Sequence, residues 1–178
     1  GLLSTPATSH LIRKENAIGG IILSASHNPG GIDGDFGVKL NISNGGPAPE
    51  IITNKIFKAS QLLTSYKICK IQLPDFSEYG TYPYGETTLE IIDGLTDYSN
   101  LMEKIFDFDQ ISDFLKKDFS LIFDAMNAVT GPYAKNIFVE KMGLAPDCVM
   151  NGNPLKDFGG LHPDPNLTYA SHLADLLL

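Results

Sequence analysis

A serine and a histidine stand side by side where a short apolar run ends. Ser26 and His27 follow the Ile-rich residues 20–24, which predict a buried strand, and "NPGG" comes directly after them. A serine hydroxyl can act as a nucleophile or carry a phosphoryl group, and a neighbouring imidazole can accept or donate a proton. Lys39 lies on the next predicted strand and could direct its charge towards Ser26. These residue types therefore point to nucleophilic or phosphoryl-transfer chemistry at the end of a strand.

The same residues also permit a purely structural interpretation, which spacing alone favours. Asn28 and Pro29 could set the dihedral angles of an ordinary turn, with Gly30 and Gly31 supplying positive φ. A serine hydrolase has little support, because the sequence contains neither a GxSxG elbow nor an obvious third member of a triad. Adjacent side chains on a tight loop are also expected to point away from each other.

The elements that would position this loop follow from the apolar pattern. Ser4 is a plausible N-cap, and Pro6 suits the first turn of a helix that ends near Lys14. We expect a second strand over 36–42 and an amphipathic helix over 50–66 that packs on the sheet. The carboxyl end of a buried strand is where α/β folds usually bind ligands, since backbone N–H groups are free there.

The rest of the chain predicts a second α/β unit. No clear period covers residues 69–85; a strand is expected over 87–93 and two short helices over 97–117. A strand over 119–126, a helix over 130–143 that ends at a glycine, and a strand over 147–152 form a βαβ unit. We therefore expect a boundary between two α/β units near residues 108–119.

Composition excludes several classes of protein. The 178 residues contain 13 Lys plus Arg and 21 Asp plus Glu, and a net charge of −8 argues against a nucleic-acid or anionic-membrane partner. Residues 1–47 are neutral overall, so an anion would meet the least repulsion there. The two cysteines form no metal or disulfide pattern, and no apolar run could span a bilayer. We expect a cytoplasmic protein, and the initial Gly and the uncapped final helix suggest a piece of a longer chain.

The remaining polar and aromatic candidates are interpreted as structural. His162 is expected to be solvated or locally hydrogen-bonded in a loop, and His10 and His172 to lie on helix surfaces. Asp124 ends a predicted strand and could lie at the sheet rim, but a helix cap is the favoured role. A set of phenylalanines is assigned to the core and the domain interface: Phe106, Phe108, Phe114, Phe119 and Phe123.

A long segment resembles a known family. "GGIILSASHNPGGIDGDFGVKLNISNGGPAPE" is similar to the active-site segment of phosphoglucomutases, in the α-D-phosphohexomutase superfamily, whose signature is T/S-A-S-H-N-P around a phosphorylated serine. "GLLSTPA", "IFDF", "DAMNAVTGPY" and "DFGGLHPDPNLTYA" add matches in the same order. The resemblance implies α/β domains of the phosphohexomutase type, each with three α/β/α layers and a mixed sheet, and both incomplete here. Residues 1–108 would belong to domain I, 109–118 to a linker and 119–178 to domain II.

The resemblance also implies a function for this loop. Ser26 would be the phosphoserine of an enzyme that interconverts glucose 1-phosphate and glucose 6-phosphate through glucose 1,6-bisphosphate, with Mg²⁺ bound to the serine phosphate. His27 would lie beside the phosphate and the hexose phosphate substrate, and Lys39 would assist proton transfer or stabilise charge. The alternative is a relative without catalysis that serves as a binding or structural protein.

The sequence departs from the family pattern in several places. Ser24 replaces the commoner threonine, "ID" replaces Pro-Asn before "GDFG", and Asn127 and Ala128 stand where His-Gly is usual. The family's Asp-Gly-Asp-Gly-Asp metal loop is absent from these residues. The 178 residues alone are therefore expected to have little or no mutase activity.

Overall fold

Short strands and helices alternate along the whole chain. The computed structural model describes residues 2–29, 32–117 and 119–176. In chain order its main elements are α1 (Thr5–Lys14), β1 (Gly19–Leu23), β2 (Val38–Ile42), α2 (Glu50–Gln61), β3 (Gly80–Tyr84), β4 (Thr87–Ile91), α3 (Gly94–Ile105), α4 (Phe108–Leu115), β5 (Phe123–Asp124), α5 (Thr130–Ala134), β6 (Val149–Met150) and α6 (Ser171–Asp175). The α/β class is confirmed.

The first helix begins and packs as its sequence predicts. Ser4 is the N-cap of α1, and its Oγ accepts a hydrogen bond from the Ala7 N–H at 3.3 Å. The helix covers the face of the β1–β2 hairpin that carries Gly20, where a Cβ would approach Cδ1 of Ile12 to 2.7 Å. The glycine at this position therefore allows the helix to lie close to the sheet.

β1 and β2 form an antiparallel pair with a defined register. Ile22 lies opposite Lys39 and Leu23 opposite Val38, at the end of the ladder that leads into the Ser26 loop. Directly opposed residues share one face of an antiparallel pair. Ile22 is buried on the α1 side, whereas Ile21 and Leu23, on the other side, are exposed.

The halves of the chain pack against each other through α1, α3 and α5. Ala7 and Leu11 are buried, and Tyr133 of α5 is 6% exposed. The Tyr133 hydroxyl accepts a hydrogen bond from the Ser4 N–H at 3.2 Å, and its ring meets that of Tyr98 edge-on at 5.5 Å. A residue near the start of the chain is thereby joined to one 129 positions later.

The predicted βαβ unit is present with parallel strands. β5 pairs with β6, so that Phe123 lies opposite Val149. The intervening helix starts as α5, continues as a π-helix over Lys135–Lys141 and ends near Gly143, at φ +66°. Gly131 lies so close to the carbonyl of Gly152 that a Cβ at position 131 would overlap that oxygen.

Several expectations about packing and extent were wrong. α2 ends at Gln61 and has no buried residue, so the predicted packing of this helix on the sheet does not occur. β5 and β6 are two residues long, and a hairpin strand, β3, lies within the stretch for which no period was found. Periodicity shows that a helix has an apolar face, but the partner of that face depends on tertiary structure.

The phenylalanine set also divides. Phe108 is buried at 8% exposure, whereas Phe106, Phe114 and Phe119 are half exposed or more, so they do not belong to the core. Phe114 and Phe119 contact each other with ring centroids 5.3 Å apart.

In the described ranges, none of the helices is long and apolar enough to cross a membrane.

Candidate active site

The Ser26 loop begins and ends at a backbone crossing, where Ser24 and Gly37 lie in close contact. After β1 ends, the Ser24 N–H donates a hydrogen bond to the carbonyl of Gly37 at 2.9 Å. A Cβ at Gly37 would overlap the carbonyl oxygen of Ser24. Only glycine fits at 37 without moving the backbone, and the crossing fixes both ends of the loop.

Ser26 has an unusual backbone conformation inside this loop. Its φ is +62°, the left-handed region that residues with a Cβ seldom adopt. The Ser26 N–H donates to Oγ of Ser24 at 3.0 Å, and the Asn28 N–H donates to the Ala25 carbonyl at 3.1 Å, closing a turn around the serine. Both Ser26 and His27 are exposed, so the hydroxyl is presented to solvent.

The side chains of Ser26 and His27 meet, contrary to the expectation for adjacent residues. Ser26 Oγ lies 3.3 Å from Nδ1 of His27. A contact between adjacent side chains depends on local dihedral angles, which the residue types do not specify. In the part of the chain that the structure describes, no side chain hydrogen-bonds the other imidazole nitrogen, so a hydrolase triad is not formed.

A second hydrogen bond links the two arms of the loop. Asn28 Nδ2 donates to Oδ2 of Asp35 at 2.7 Å, and the Asp35 N–H donates to the carbonyl of Pro29 at 2.9 Å. Asn28 thus takes part in shaping the loop. The positive φ expected at Gly30 and Gly31 lies outside the described residues.

Lys39 occupies β2, one position inside the end of the ladder. It is exposed and shares the α1 face with Ile22. Within the described ranges, its ammonium group makes no hydrogen bond or ion pair with Ser26 or His27. It lines a groove of about 550 Å³ that Arg13 of α1 and Asn44 of the following turn also line. The site thus combines a hydroxyl and an imidazole in contact with each other, and a cation on the adjacent strand that is hydrogen-bonded to neither.

The residues of this chain do not fit a complete Mg²⁺ site. Across 2–29, 32–117 and 119–176 there is no group of three or more His, Cys, Asp or Glu side chains arranged to hold a metal ion. Mg²⁺ prefers octahedral oxygen coordination, with carboxylates and substrate phosphates among its ligands. A phosphate on Ser26 could supply oxygen, but the described residues provide no set of three such side chains to complete the coordination.

A second polar cluster surrounds Asp124, at the carboxyl end of β5. Its side chain is 2% exposed. Oδ1 accepts from the Met126 N–H at 2.9 Å and from Nδ2 of Asn151 at 2.8 Å, and Oδ2 lies 2.6 Å from Nε2 of His172. The expected helix cap was therefore wrong, since α5 begins at Thr130. His172 is exposed on α6, as expected, but its ring also contacts Asp124.

The environment of Asp124 favours its charged form. Burial alone would raise the pKa of Asp124, but the hydrogen bonds from Met126, Asn151 and His172, with the charge of His172, hold that pKa below its usual value. These bonds also stabilise neighbouring backbone in the left-handed region, at Met126 (φ +51°) and Asn151 (φ +47°). Asp124 thus organises the loops of the βαβ unit.

His162 has an aromatic partner that the sequence did not suggest. Its ring stacks on that of Tyr169, with centroids 4.0 Å apart. The Tyr169 N–H donates in turn to Oδ1 of Asn166 at 3.3 Å. His162 is therefore a packing residue of this loop.

Comparisons with known proteins agree along the chain. Residues 1–67 match the model of the family described as phosphoglucomutase/phosphomannomutase, alpha/beta/alpha domain I. A phosphoglucomutase from Emericella nidulans is 54% identical over 177 residues, which cover 98% of this chain and 32% of that protein. A chloroplastic phosphoglucomutase from Arabidopsis thaliana is 53% identical, covering 99% of this chain and 29% of that protein.

The chain is thus similar to phosphoglucomutases over 98% of its length, and residues 1–67 match domain I of the phosphoglucomutase/phosphomannomutase family. Among solved structures, the Paramecium exocytosis-sensitive phosphoprotein parafusin, also named as a phosphoglucomutase, superposes with a TM-score of 0.90 at 44% identity. That superposition covers 98% of this chain and 34% of the Paramecium chain. The chain spans about a third of the length of the curated relatives it matches.

Sequence reasoning overlooked two parts of this site. The Ser24 hydroxyl was treated only as a mild replacement of threonine, yet it accepts the Ser26 N–H. Asp35 was counted only as a charge, yet it bonds Asn28 across the loop. For Ser24 a signal exists, because a Ser or Thr side chain commonly accepts the N–H two residues later.

Proposed function

We propose that the protein, at the full length its gene encodes, is a phosphoglucomutase that interconverts glucose 1-phosphate and glucose 6-phosphate. The observation that carries the proposal is Ser26, held at φ +62° in an exposed loop with its Oγ 3.3 Å from His27. A serine presented in this way is accessible to a phosphorylated sugar. Identity of more than 50% to proteins named phosphoglucomutase supports the choice of substrate.

The proposed reaction uses Ser26 as a phosphoryl carrier. The bond between phosphorus and Ser26 Oγ breaks, a bond forms between phosphorus and the free hydroxyl oxygen of the hexose phosphate, and the hydroxyl proton is transferred to Ser26 Oγ. The product is glucose 1,6-bisphosphate. In the second half, the other phosphoryl group moves to Ser26 Oγ, whose proton passes to the sugar oxygen left behind. Atoms and charge balance, and the enzyme is again phosphorylated.

The neighbouring residues have distinct roles in the proposal. His27, adjacent to Ser26 Oγ, binds the phosphate and can transfer the proton. Lys39 stabilises negative charge or assists proton transfer once substrate bridges it and the loop, because phosphoryl transfer depends mainly on positioning and electrostatics. Both roles rest on the family resemblance and on the positions of these residues near one end of the hairpin.

Mg²⁺ and glucose 1,6-bisphosphate are the proposed cofactors. A bound Mg²⁺ would neutralise charge on the transferred group. Since the described residues contain no carboxylate set for it, ligands other than the Ser26 phosphate would come from residues that this sequence does not contain.

We also propose a division into domain I up to residue 108, a connection over 109–118 and domain II from 119, and a cytoplasmic location.

Phosphorylation of Ser26 tests the proposed function. The full-length protein is incubated with glucose 1,6-bisphosphate and Mg²⁺, and phosphopeptides are assigned by mass spectrometry, beside a Ser26→Ala control. Phosphate on Ser26 together with mutase turnover in a coupled assay is expected. A folded protein without phosphate on Ser26 would overturn the proposal and favour a binding or structural relative. The 178 residues alone should show little or no turnover.

A further inference from the structure

We propose that Ser24 is a positioning residue: its hydroxyl holds Ser26 in the left-handed conformation that presents the Ser26 Oγ for phosphoryl transfer. The relevant contact is the hydrogen bond from the Ser26 N–H to Oγ of Ser24, at 3.0 Å. The catalytic half of this proposal, that Ser26 Oγ takes part in phosphoryl transfer, rests on the proposed function. The conformational half, that Ser24 holds the backbone of Ser26, does not depend on it.

The backbone of Ser26 needs a specific restraint. Its φ of +62° is costly for a residue with a Cβ, and serine lacks the tolerance of glycine or asparagine for this region. Such conformations persist where surrounding contacts determine them, and they concentrate at functional sites. Ser26 is exposed, so packing cannot provide the restraint. Hydrogen bonds within the turn must supply it.

Two hydrogen bonds hold the same peptide unit, which joins Ala25 to Ser26. Its carbonyl accepts from the Asn28 N–H, which closes the turn. Its N–H donates to Oγ of Ser24. A flip of this peptide would carry Ser26 to negative φ while both ends of the loop stay in place, and it would turn the N–H away from Ser24, so the bond to Ser24 favours the positive-φ state.

Ser24 is itself well anchored. Its N–H donates to the Gly37 carbonyl at 2.9 Å, and its own carbonyl lies where a Cβ on Gly37 would be. The acceptor oxygen is therefore attached to the fixed end of β1, whereas Ser26 stands in the exposed part of the loop. This arrangement connects a rigid strand end to the reactive residue through one side chain.

Ser26 Oγ lies 3.3 Å from Nδ1 of His27, and both side chains lie downstream of the Ala25–Ser26 peptide. Loss of the Ser24 hydroxyl should therefore displace this pair of side chains relative to the fixed end of β1. A displacement of about 1 Å can lower a rate by about a hundredfold, since reacting groups must be held in line. The effect should appear in kcat and in the rate of Ser26 phosphorylation, with KM for the hexose phosphate little changed.

A matched pair of variants separates the hydroxyl from side-chain shape. Ser24→Thr keeps an acceptor oxygen, and Ser24→Val has the same shape as threonine without it. Ser24→Ala is a second variant without the oxygen, and thermal melting checks that each protein is folded. The measurements are the φ of Ser26 in crystal structures of the full-length variants, and phosphorylation by glucose 1,6-bisphosphate.

We expect Ser24→Thr to keep positive φ and to be phosphorylated within about twofold of wild type, and Ser24→Val and Ser24→Ala to react at least about tenfold more slowly. If the wild type is phosphorylated and Ser24→Val reacts like Ser24→Thr, the positioning role is overturned and the proposed function stands. If the wild type is not phosphorylated, the proposed function fails. The φ of Ser26 then decides: positive φ in Ser24→Val overturns the inference, and negative φ supports its conformational half.

Discussion

Two asparagine–aspartate hydrogen bonds of almost equal length close the two loop regions of this molecule. Asn28 donates to Asp35 at 2.7 Å in the Ser26 loop, and Asn151 donates to Asp124 at 2.8 Å in the βαβ unit. Asp35 is exposed, whereas the Asp124 side chain is 2% exposed. Both bonds join an amide to a carboxylate, but only the Asp124 carboxylate is buried.

The buried carboxylate serves several partners at once. Asp124 also accepts from the Met126 N–H and from His172, while the Asp35 side chain accepts only from Asn28 among the described residues. Water competes for the exposed Asp35 carboxylate but is largely excluded from that of Asp124, where a lost partner leaves a polar group unsatisfied. The βαβ loops are thus held in part by a buried carboxylate, whereas the corresponding bond in the Ser26 loop is open to water.

The largest effect is expected at the backbone crossing of the Ser26 loop. Gly37→Ala would force its Cβ into the Ser24 carbonyl, and we expect a loss of about 3 kcal/mol in the free energy of unfolding, together with loss of Ser26 phosphorylation. Denaturant unfolding of the full-length protein measures it.

Gly85→Ala is the control for that substitution. Gly85 has positive φ (+65°), and a Cβ added to it would have no neighbouring atom within 4 Å. Its replacement should therefore lower the free energy of unfolding by only about 1 kcal/mol. Equal losses at the two glycines would show that the crossing does not determine the loop.

The matched pair Asp124→Asn and Asp35→Asn tests the comparison directly. Asp124→Asn should lower the free energy of unfolding by about 2 kcal/mol, because an amide nitrogen would face buried donors. Asp35→Asn should change it by less than about 0.5 kcal/mol, as for most exposed substitutions. A larger loss at Asp35, again from denaturant unfolding, would contradict the role given to burial.

Acid should remove the contribution of Asp124 to the free energy of unfolding. The hydrogen bonds that outweigh its burial hold the folded-state pKa of Asp124 below the ordinary value of 3.8. The unfolded state therefore binds the proton more readily, so the stabilisation is present above about pH 4 and is lost as the pH falls through the folded pKa. We expect the stability difference between wild type and Asp124→Asn to narrow over that window. A difference that stays constant from pH 6 to pH 2 would refute this.

The smallest effect is expected where His162 stacks on Tyr169. Tyr169→Leu removes the stack and should cost about 0.5–1 kcal/mol in the free energy of unfolding. Tyr66→Leu is the matched control, because Tyr66 is 86% exposed and should contribute little. Indistinguishable denaturation midpoints for the two variants would mean that the stack adds no stability.

Local patterns were sufficient for much of the fold. Ser4 caps α1 as predicted, because a cap depends only on residues within one turn. The βαβ unit and its parallel pairing followed from the order of apolar segments. The packing of α2 was predicted wrongly, since an apolar helix face does not specify its partner.

The candidate site was predictable as a location but not as a geometry. Ser26 and His27 were expected after the first strand and Lys39 on the next strand, where the structure has them; their catalytic roles stay predictions. The Ser26–His27 contact was predicted wrongly, because it depends on the local dihedral angles of the two residues, which the residue types do not specify.

The sequence by itself determined the resemblance to phosphoglucomutases, the α/β class and the loop that carries Ser26, since these depend on short motifs and local apolar patterns. Only the tertiary structure decided that His172 lies against Asp124, 48 positions away, and that Gly37 crosses Ser24. The physical reason is that a hydrogen bond or a steric contact depends on distance in space, and the folded backbone alone brings these atoms together.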